Sequence, residues 1–258
     1  MQGNRSENPG WRLVSRLHNL WAAAVDVVYP PVCSACGRMV GEHYATCPAC
    51  WASLRQIERP YCEVLGLPFS HDLGTGILCA DAIAHPPVFD RLRSAVIHET
   101  IAKSLVHGLK YSDRTDLAPM MAGWMIRASD GRVAASDAII AVPLHATRLW
   151  RRRFNQSAEL ARAIARLSGK PFLATGLIRT KRTMQQVGLG ATAREDNVRG
   201  AFAVTETGKA EVFGKRLVLV DDVYTTGATV SAATRALKKA GAVEVTVLTF
   251  ARAISGPI

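Results

Sequence analysis

The chain has 258 residues, 48% of them hydrophobic and 7% aromatic, and a formal net charge of +11. That length holds one full domain and a small extra module, with the apolar content of an ordinary globular protein. The basic balance suits polyanionic partners such as nucleic acid or phosphorylated metabolites, and no apolar run is long enough to span a membrane.

In chain order, the first predicted element is a helix over residues 1–29. Trp11, Val14, Leu17, Leu20, Trp21, Ala24, Val25 and Val28 recur at helical spacing. Asp26 interrupts the apolar part and no small-residue cleavage site follows, so the segment does not read as a signal peptide. Its polar face carries few lysines or arginines, which favours an amphipathic helix packed on protein over one lying on a membrane. A cytoplasmic chain is expected.

Residues 30–60 form a cysteine module. Cys33-Ser-Ala-Cys36 and Cys47-Pro-Ala-Cys50 each place two thiolates on one tight turn, and two such turns make a tetrahedral zinc site. Gly37 can supply the positive φ that such a turn needs. A four-thiolate shell has no open position, so this zinc is expected to be structural. His43 is then not needed as a ligand. Cys62 and Cys79 stand alone and read as small buried residues. Residues 61–90, rich in Gly, Pro and His, read as a linker.

A regular pattern fills 91–254. RLRSAVIHE reads as a strand, ETIAKSLVHGLKY and DLAPMMAGWMIRA as helices, and DAIIAV as a short apolar strand. NQSAELARAIARLSGK reads as a helix capped near Asn155 and closed by Gly169. Residues 179–200 look like an arginine-rich loop. RLVLVD is a second apolar strand, TGATVSAATRALKKAGA a helix and VEVTVLTFARA a last strand. No internal repeat is apparent. Alternating strands and helices predict an α/β domain: a parallel sheet with helices on both faces, with ligands at the carboxyl ends of its strands.

LVLVDDVYTTGAT, residues 217–229, concentrates the chemistry. Four apolar residues of a buried strand run into Asp221 and Asp222. Gly227 clears a side chain where a ligand must approach the backbone. The amides of Thr226 to Thr229 then point at an anion at the start of a helix, with hydroxyls adding donors. Carboxylates do not bind phosphate; they suit sugar hydroxyls or a hydrated magnesium ion. The combination describes a pocket for a phosphorylated sugar. The Gly-x-x-x-x-Gly-Lys frame of a Walker A loop is missing.

That stretch resembles the phosphoribosyl-pyrophosphate (PRPP) signature of type I phosphoribosyltransferases. With the cysteine module, HGLKYSDRTDLAP, AVPLHATRLWRRRFNQSAELA and RTKRTMQQVGLGATAREDNVRGAF in this order, roughly residues 30–251 resemble the ComF competence family. The resemblance implies a type I phosphoribosyltransferase-like domain with an N-terminal zinc ribbon, and magnesium bound with PRPP. It implies that Asp221 and Asp222 face the ribose hydroxyls, and that Thr225, Thr226, Gly227, Ala228 and Thr229 hold the 5′-phosphate. Pro143, Leu144 and His145 would form the pyrophosphate loop, followed by Arg148 and Arg151 to Arg153, with Asn155 and Gln156 opening the next helix. Arg179, Lys181, Arg182 and Gln186 would sit on a loop over the site, and Lys110 falls in the family's Lys-Tyr motif. His145 reads as a satisfied loop residue more readily than as a group that polarises pyrophosphate. Many relatives carry further Cys-x-x-Cys pairs, whereas PYCEVLG and ILCADA hold one cysteine each, so a second zinc site is not expected.

The function implied is phosphoribosyl transfer to an unidentified acceptor, linked to DNA uptake during natural transformation. The alternative is a PRPP-binding protein without turnover that handles single-stranded nucleic acid, and DNA-uptake machinery is the implied partner in either case.

Overall fold

A computed structural model describes residues 28–72, 74–111, 114–152, 154–181 and 197–254. Residues 1–27 of the helix expected over 1–29, and most of the loop at 179–200, lie outside them. The chain divides into two compact units, residues 1–51 and 52–258.

In the first unit, Val32 pairs with Met39 across a tight turn held by Gly37, whose φ is 74°. A short helix, α1 (Pro48–Ala52), follows Cys47. This is the backbone of a knuckle, with Cys33, Cys47 and Cys50 buried.

The second unit is built on β1 (Arg91–Ile97), β2 (Ala138–Ala141), β5 (Arg216–Tyr224) and β6 (Glu244–Arg252), which form one parallel sheet in the order β1-β6-β5-β2. Parallel strands cannot be joined by tight turns, so helices cross between them. These are α3 (Thr100–Tyr111), α4 (Ala118–Ala128), α7 (Gln156–Ser168) and α9 (Ala228–Lys239), with short helices α2 (Ala80–Ala84), α5 (Arg132–Ala135), α6 (Ala146–Arg152) and α8 (Glu206–Val212). Successive strand residues point to opposite faces, and Leu217, Val218, Leu219 and Val220 are all buried, so both faces of the sheet are covered. Neither edge is bare: Phe172 pairs with Ile139 beside β2, and Gln56 pairs with Val96 beside β1. An antiparallel hairpin, β3 (Leu177–Arg179) with β4 (Phe202–Val204), stands apart from the main sheet.

Helix α7 starts and stops where its sequence directs. The Asn155 side chain accepts the Ser157 amide, and Gly169 closes the other end at φ 69°. Pro119 sits in the first turn of α4, where no intrahelical N–H is lost.

Two expectations change. Strand β5 does not stop at Asp221 but runs to Tyr224, because β6 stays alongside through the pairs Val223–Ala251 and Tyr224–Arg252. The stretch 61–90, expected as a linker, is packed. Cys62, Leu65, Cys79, Ala82 and Phe89 join one core with Leu217, Leu219, Val230, Ala233 and Leu237. The Leu92 amide donates to the Val64 carbonyl (2.8 Å). Fully buried Arg93 reaches the Glu63 carbonyl (3.0 Å) and carboxylate (3.1 Å). Composition registered the turns of this stretch; it does not register what they pack against.

Candidate active site and metal centre

The acid pair sits where the sheet opens. The last rung between β2 and β5 is the Val142 amide on the Val220 carbonyl (2.9 Å), so Asp221 lies just past the end of its neighbour. Adjacent strand residues leave in different directions, and the two carboxylates find different partners. Ser157 Oγ, from the first turn of α7, donates to Asp221 Oδ1 (2.8 Å), as does the Asp222 amide (3.0 Å). Lys110 Nζ, from the last turn of α3, pairs with Asp222 Oδ2 (2.7 Å).

The two acids are thereby made unequal. Burial, foremost, and the neighbouring charge of Asp222 push Asp221 up to about 7, against the opposing pull of Ser157, the Asp222 amide and Lys110. His98, just after β1, belongs to the same electrostatic group. Its amide donates to the Arg252 carbonyl (2.8 Å). Burial, and then the charges of Lys110 and Lys103, lower its pKa and so disfavour the charged ring.

Beyond Tyr224 the chain turns through exposed Thr225 and Thr226 into α9. Gly227 caps that helix at φ 78°, a conformation that favours glycine, and a Cβ there would meet Tyr224 Oη at 2.6 Å and have to displace that ring. The first turn of a helix offers amides that have no intrahelical acceptor, and this one begins at Ala228 directly after Gly227. A helix N-terminus of this kind favours a phosphate.

Pro143, Leu144 and His145 follow β2 after Val142. His145 Nδ1 accepts the Thr147 amide (3.3 Å) and lies 2.9 Å from its hydroxyl, which makes it a cap on α6. Asn155 Nδ2 donates to the Val142 carbonyl (3.0 Å) and so fastens α7 to the end of β2, and Gln156 beside it is buried. The Arg179 guanidinium lies over the Phe202 ring, 5.1 Å from its centroid. Lys181 Nζ donates to the Arg199 carbonyl (3.1 Å), at the base of the hairpin. Arg153, Arg182 and Gln186 lie outside the described residues. A cavity of about 170 Å³ between Tyr61, Trp124 and Arg127 contains none of the predicted site residues.

Sequence reasoning did not single out Ser157 or His98. Ser157 is one of several small residues in α7, and its partner is distant in the chain. His98 had a usable signal: it ends a predicted strand, and ligands gather at those ends.

In the first unit, the sulfurs of Cys33, Cys36, Cys47 and Cys50 all lie within 4.8 Å of one another, with Cys36 and Cys47 at 3.8 Å. A tetrahedron with zinc–sulfur bonds of about 2.3 Å has edges of about 3.8 Å. Burial holds the Cys50 thiol up at about 12, helped by the other sulfurs. At Cys33 burial is outweighed by the amides of Cys47, Cys36 and Ala35, which bring the thiol down to about 6. One site thus holds an easy and a reluctant thiolate, and a cation at its centre is what would ionise all four. The donor set and geometry fit a structural zinc ion.

Two stretches match known domain families: residues 24–83 match the double zinc ribbon domain and residues 157–257 the phosphoribosyl transferase domain. Fold and sequence together define a phosphoribosyltransferase-like protein preceded by a zinc ribbon. The DNA utilization protein YhgH of Salmonella typhimurium is 31% identical over 229 residues, 86% of this chain and 91% of that one. Its namesake in Escherichia coli K12 is 30% identical over 232 residues, 87% and 98% of the two chains. Competence protein F of Haemophilus influenzae is 40% identical over 117 residues, 45% of this chain and 51% of that one. The chain belongs to the ComF family. Among solved structures, the allosteric regulatory enzyme of purine biosynthesis overlaps 56% of this chain and 30% of its own, at 25% identity and a TM-score of 0.38. Among the described residues, no helix is long and apolar enough to cross a membrane.

Proposed function

We propose that the protein binds PRPP at the carboxyl ends of β2 and β5 and transfers its phosphoribosyl group to an acceptor in a DNA-utilising process. The observation that carries this is the pair Asp221 and Asp222, one on Ser157 and one on Lys110, at the mouth of a helix that Gly227 opens. In this reading the carboxylates accept the ribose hydroxyls. The turn from Thr225 to Thr229 holds the 5′-phosphate, and the pyrophosphate lies along Pro143 to His145. A bound magnesium ion would supply positive charge for the departing pyrophosphate.

In transfer, the bond between ribose C1 and the pyrophosphate oxygen breaks, and its electrons leave with pyrophosphate. The sugar passes through a cationic state, and an acceptor lone pair forms the new bond at C1 while the acceptor gives up a proton. The protein's part is to orient the sugar, place positive charge and exclude water. Lys110 is the one cation already touching the acid pair among the described residues. It neutralises Asp222 before ligand arrives and can swing toward phosphate oxygens when ribose takes its place.

Calorimetric titration of the zinc-loaded protein with PRPP, with and without magnesium, tests this. We expect saturable binding that magnesium strengthens, and at least a tenfold loss in an Asp221→Asn, Asp222→Asn double variant. A folded wild type that does not bind PRPP would falsify the proposal. Binding without pyrophosphate release across a screen of acceptors would reduce the protein to a PRPP-binding factor.

A further inference from the structure

The matched double zinc ribbon implies two metal sites, and the residues fit only one. We infer that residues 60–84 are a second copy of the 31–52 knuckle that has exchanged its metal for an apolar filling, so that the chain carries one zinc ion.

The two copies correspond bond for bond. In the first, Val32 bridges Met39, the Val40 amide donates to the Pro31 carbonyl, Cys33 N to Arg38 O, and Gly37 N to Cys33 O. In the second, Tyr61 bridges Pro68, Phe69 N donates to Pro60 O, Cys62 N to Leu67 O, and Gly66 N to Cys62 O. The Cys33 sulfur takes the amides of Ala35, Cys36 and Cys47; the Cys62 sulfur takes those of Val64, Leu65 and Cys79. The closing contact is 3.2 Å in both, Cys47 N to Cys33 Sγ and Cys79 N to Cys62 Sγ. A short helix follows each, α1 after Cys47 and α2 after Cys79. Glycine sits at positive φ in both turns, Gly37 at 74° and Gly66 at 57°.

By that correspondence Leu65 stands where Cys36 stands, and Ala82 where Cys50 stands. Both are 4% exposed and belong to the sheet core. Two sulfurs remain, and among the described residues the second copy holds no cluster of three or more metal-ligating side chains. Of the neighbouring carboxylates, Glu63 is engaged by Arg93 (3.1 Å) and Asp81 turns outward to His85 (3.3 Å). Zinc needs four donors, and two thiolates surrounded by aliphatic carbon do not supply them.

What a metal would have held is held from outside. Arg252, at the end of β6, donates to the Leu65 carbonyl and lies over the Tyr224 ring, 5.1 Å from its centroid. Arg93 fastens Glu63, and the Leu92 carbonyl packs where a Cβ on Gly66 would fall, at 2.5 Å. The knuckle has become part of the sheet's core and needs no ion. The inference is independent of PRPP binding.

Zinc per chain, measured by elemental analysis of purified full-length protein, should be 1.0. Cys36→Ser should bring it near zero, and Cys62→Ser should leave it at one. If Cys62→Ser does not fold, the wild-type count still decides, and a value of two overturns the inference. A Leu65→Cys, Ala82→Cys double variant rebuilds the missing corners and should raise the count to two. A folded double variant that stays at one zinc contradicts the correspondence.

Discussion

The two knuckles share a backbone and differ in what closes them. In residues 31–52 four sulfurs converge; in 60–84 two sulfurs are joined by Leu65 and Ala82. The reason lies in what surrounds each. The first belongs to a unit of some fifty residues, a size at which a hydrophobic core alone seldom suffices and a structural metal commonly makes up the deficit. The second is packed on a buried parallel sheet and draws its stability from there. A knuckle is first a pattern of backbone bonds to carbonyls and sulfur, and either metal or packing can close it.

The largest effect that could break this comparison is removal of zinc. Apparent binding energies of structural zinc sites are about 10–16 kcal/mol. Chelation should therefore abolish amide protection over residues 31–51 in hydrogen exchange while β5 and β6 stay protected. Simultaneous loss in both regions would show that the second unit leans on the metal after all. Next comes Leu65→Ala, which opens a cavity in the apolar filling. A cost of about 2–5 kcal/mol is expected in denaturant unfolding of the second unit, with zinc content unchanged. A neutral result would mean that Leu65 is not part of the closure.

The comparison extends to the acid pair, which also gathers like charge and meets it with one built-in cation, Lys110. Asp221 is held up at about 7, above its ordinary value of 3.8. A folded pKa that is raised stabilises fully below the unfolded value, and that contribution is lost as pH rises through the folded one. Without ligand, stability should fall between about pH 4 and 7, by up to about 1.4 kcal/mol per pH unit. Asp221→Asn should remove this slope. Ser157→Ala deletes a hydrogen bond that favours the charged form, so the slope should continue to higher pH, with about 1 kcal/mol at stake. A wild-type profile flat across this range would refute the assigned environment of Asp221.

What could be read from sequence was local. The zinc ligands and LVLVDDVYTTGAT place their chemistry within a few residues of one another, and the caps at Asn155 and Gly169 are read from single side chains. The second knuckle escaped because its evidence is backbone bonding, and only Cys62, Gly66 and Cys79 carry that pattern into sequence. Arg93 and Arg252 escaped for a related reason. Each looks like a surface arginine on a strand until its partners, Glu63 and the Leu65 carbonyl, are brought to it by the fold. Ser157 and His98 likewise gain meaning from Asp221, Asp222 and Lys110, which lie far off in the chain.

The most direct test of the site is a crystal structure with PRPP and magnesium. The 5′-phosphate is expected on the amides from Thr226 to Thr229, the ribose hydroxyls on Asp221 and Asp222, and Lys110 drawn off Asp222. PRPP bound elsewhere, with the Lys110–Asp222 pair intact, would contradict this placement.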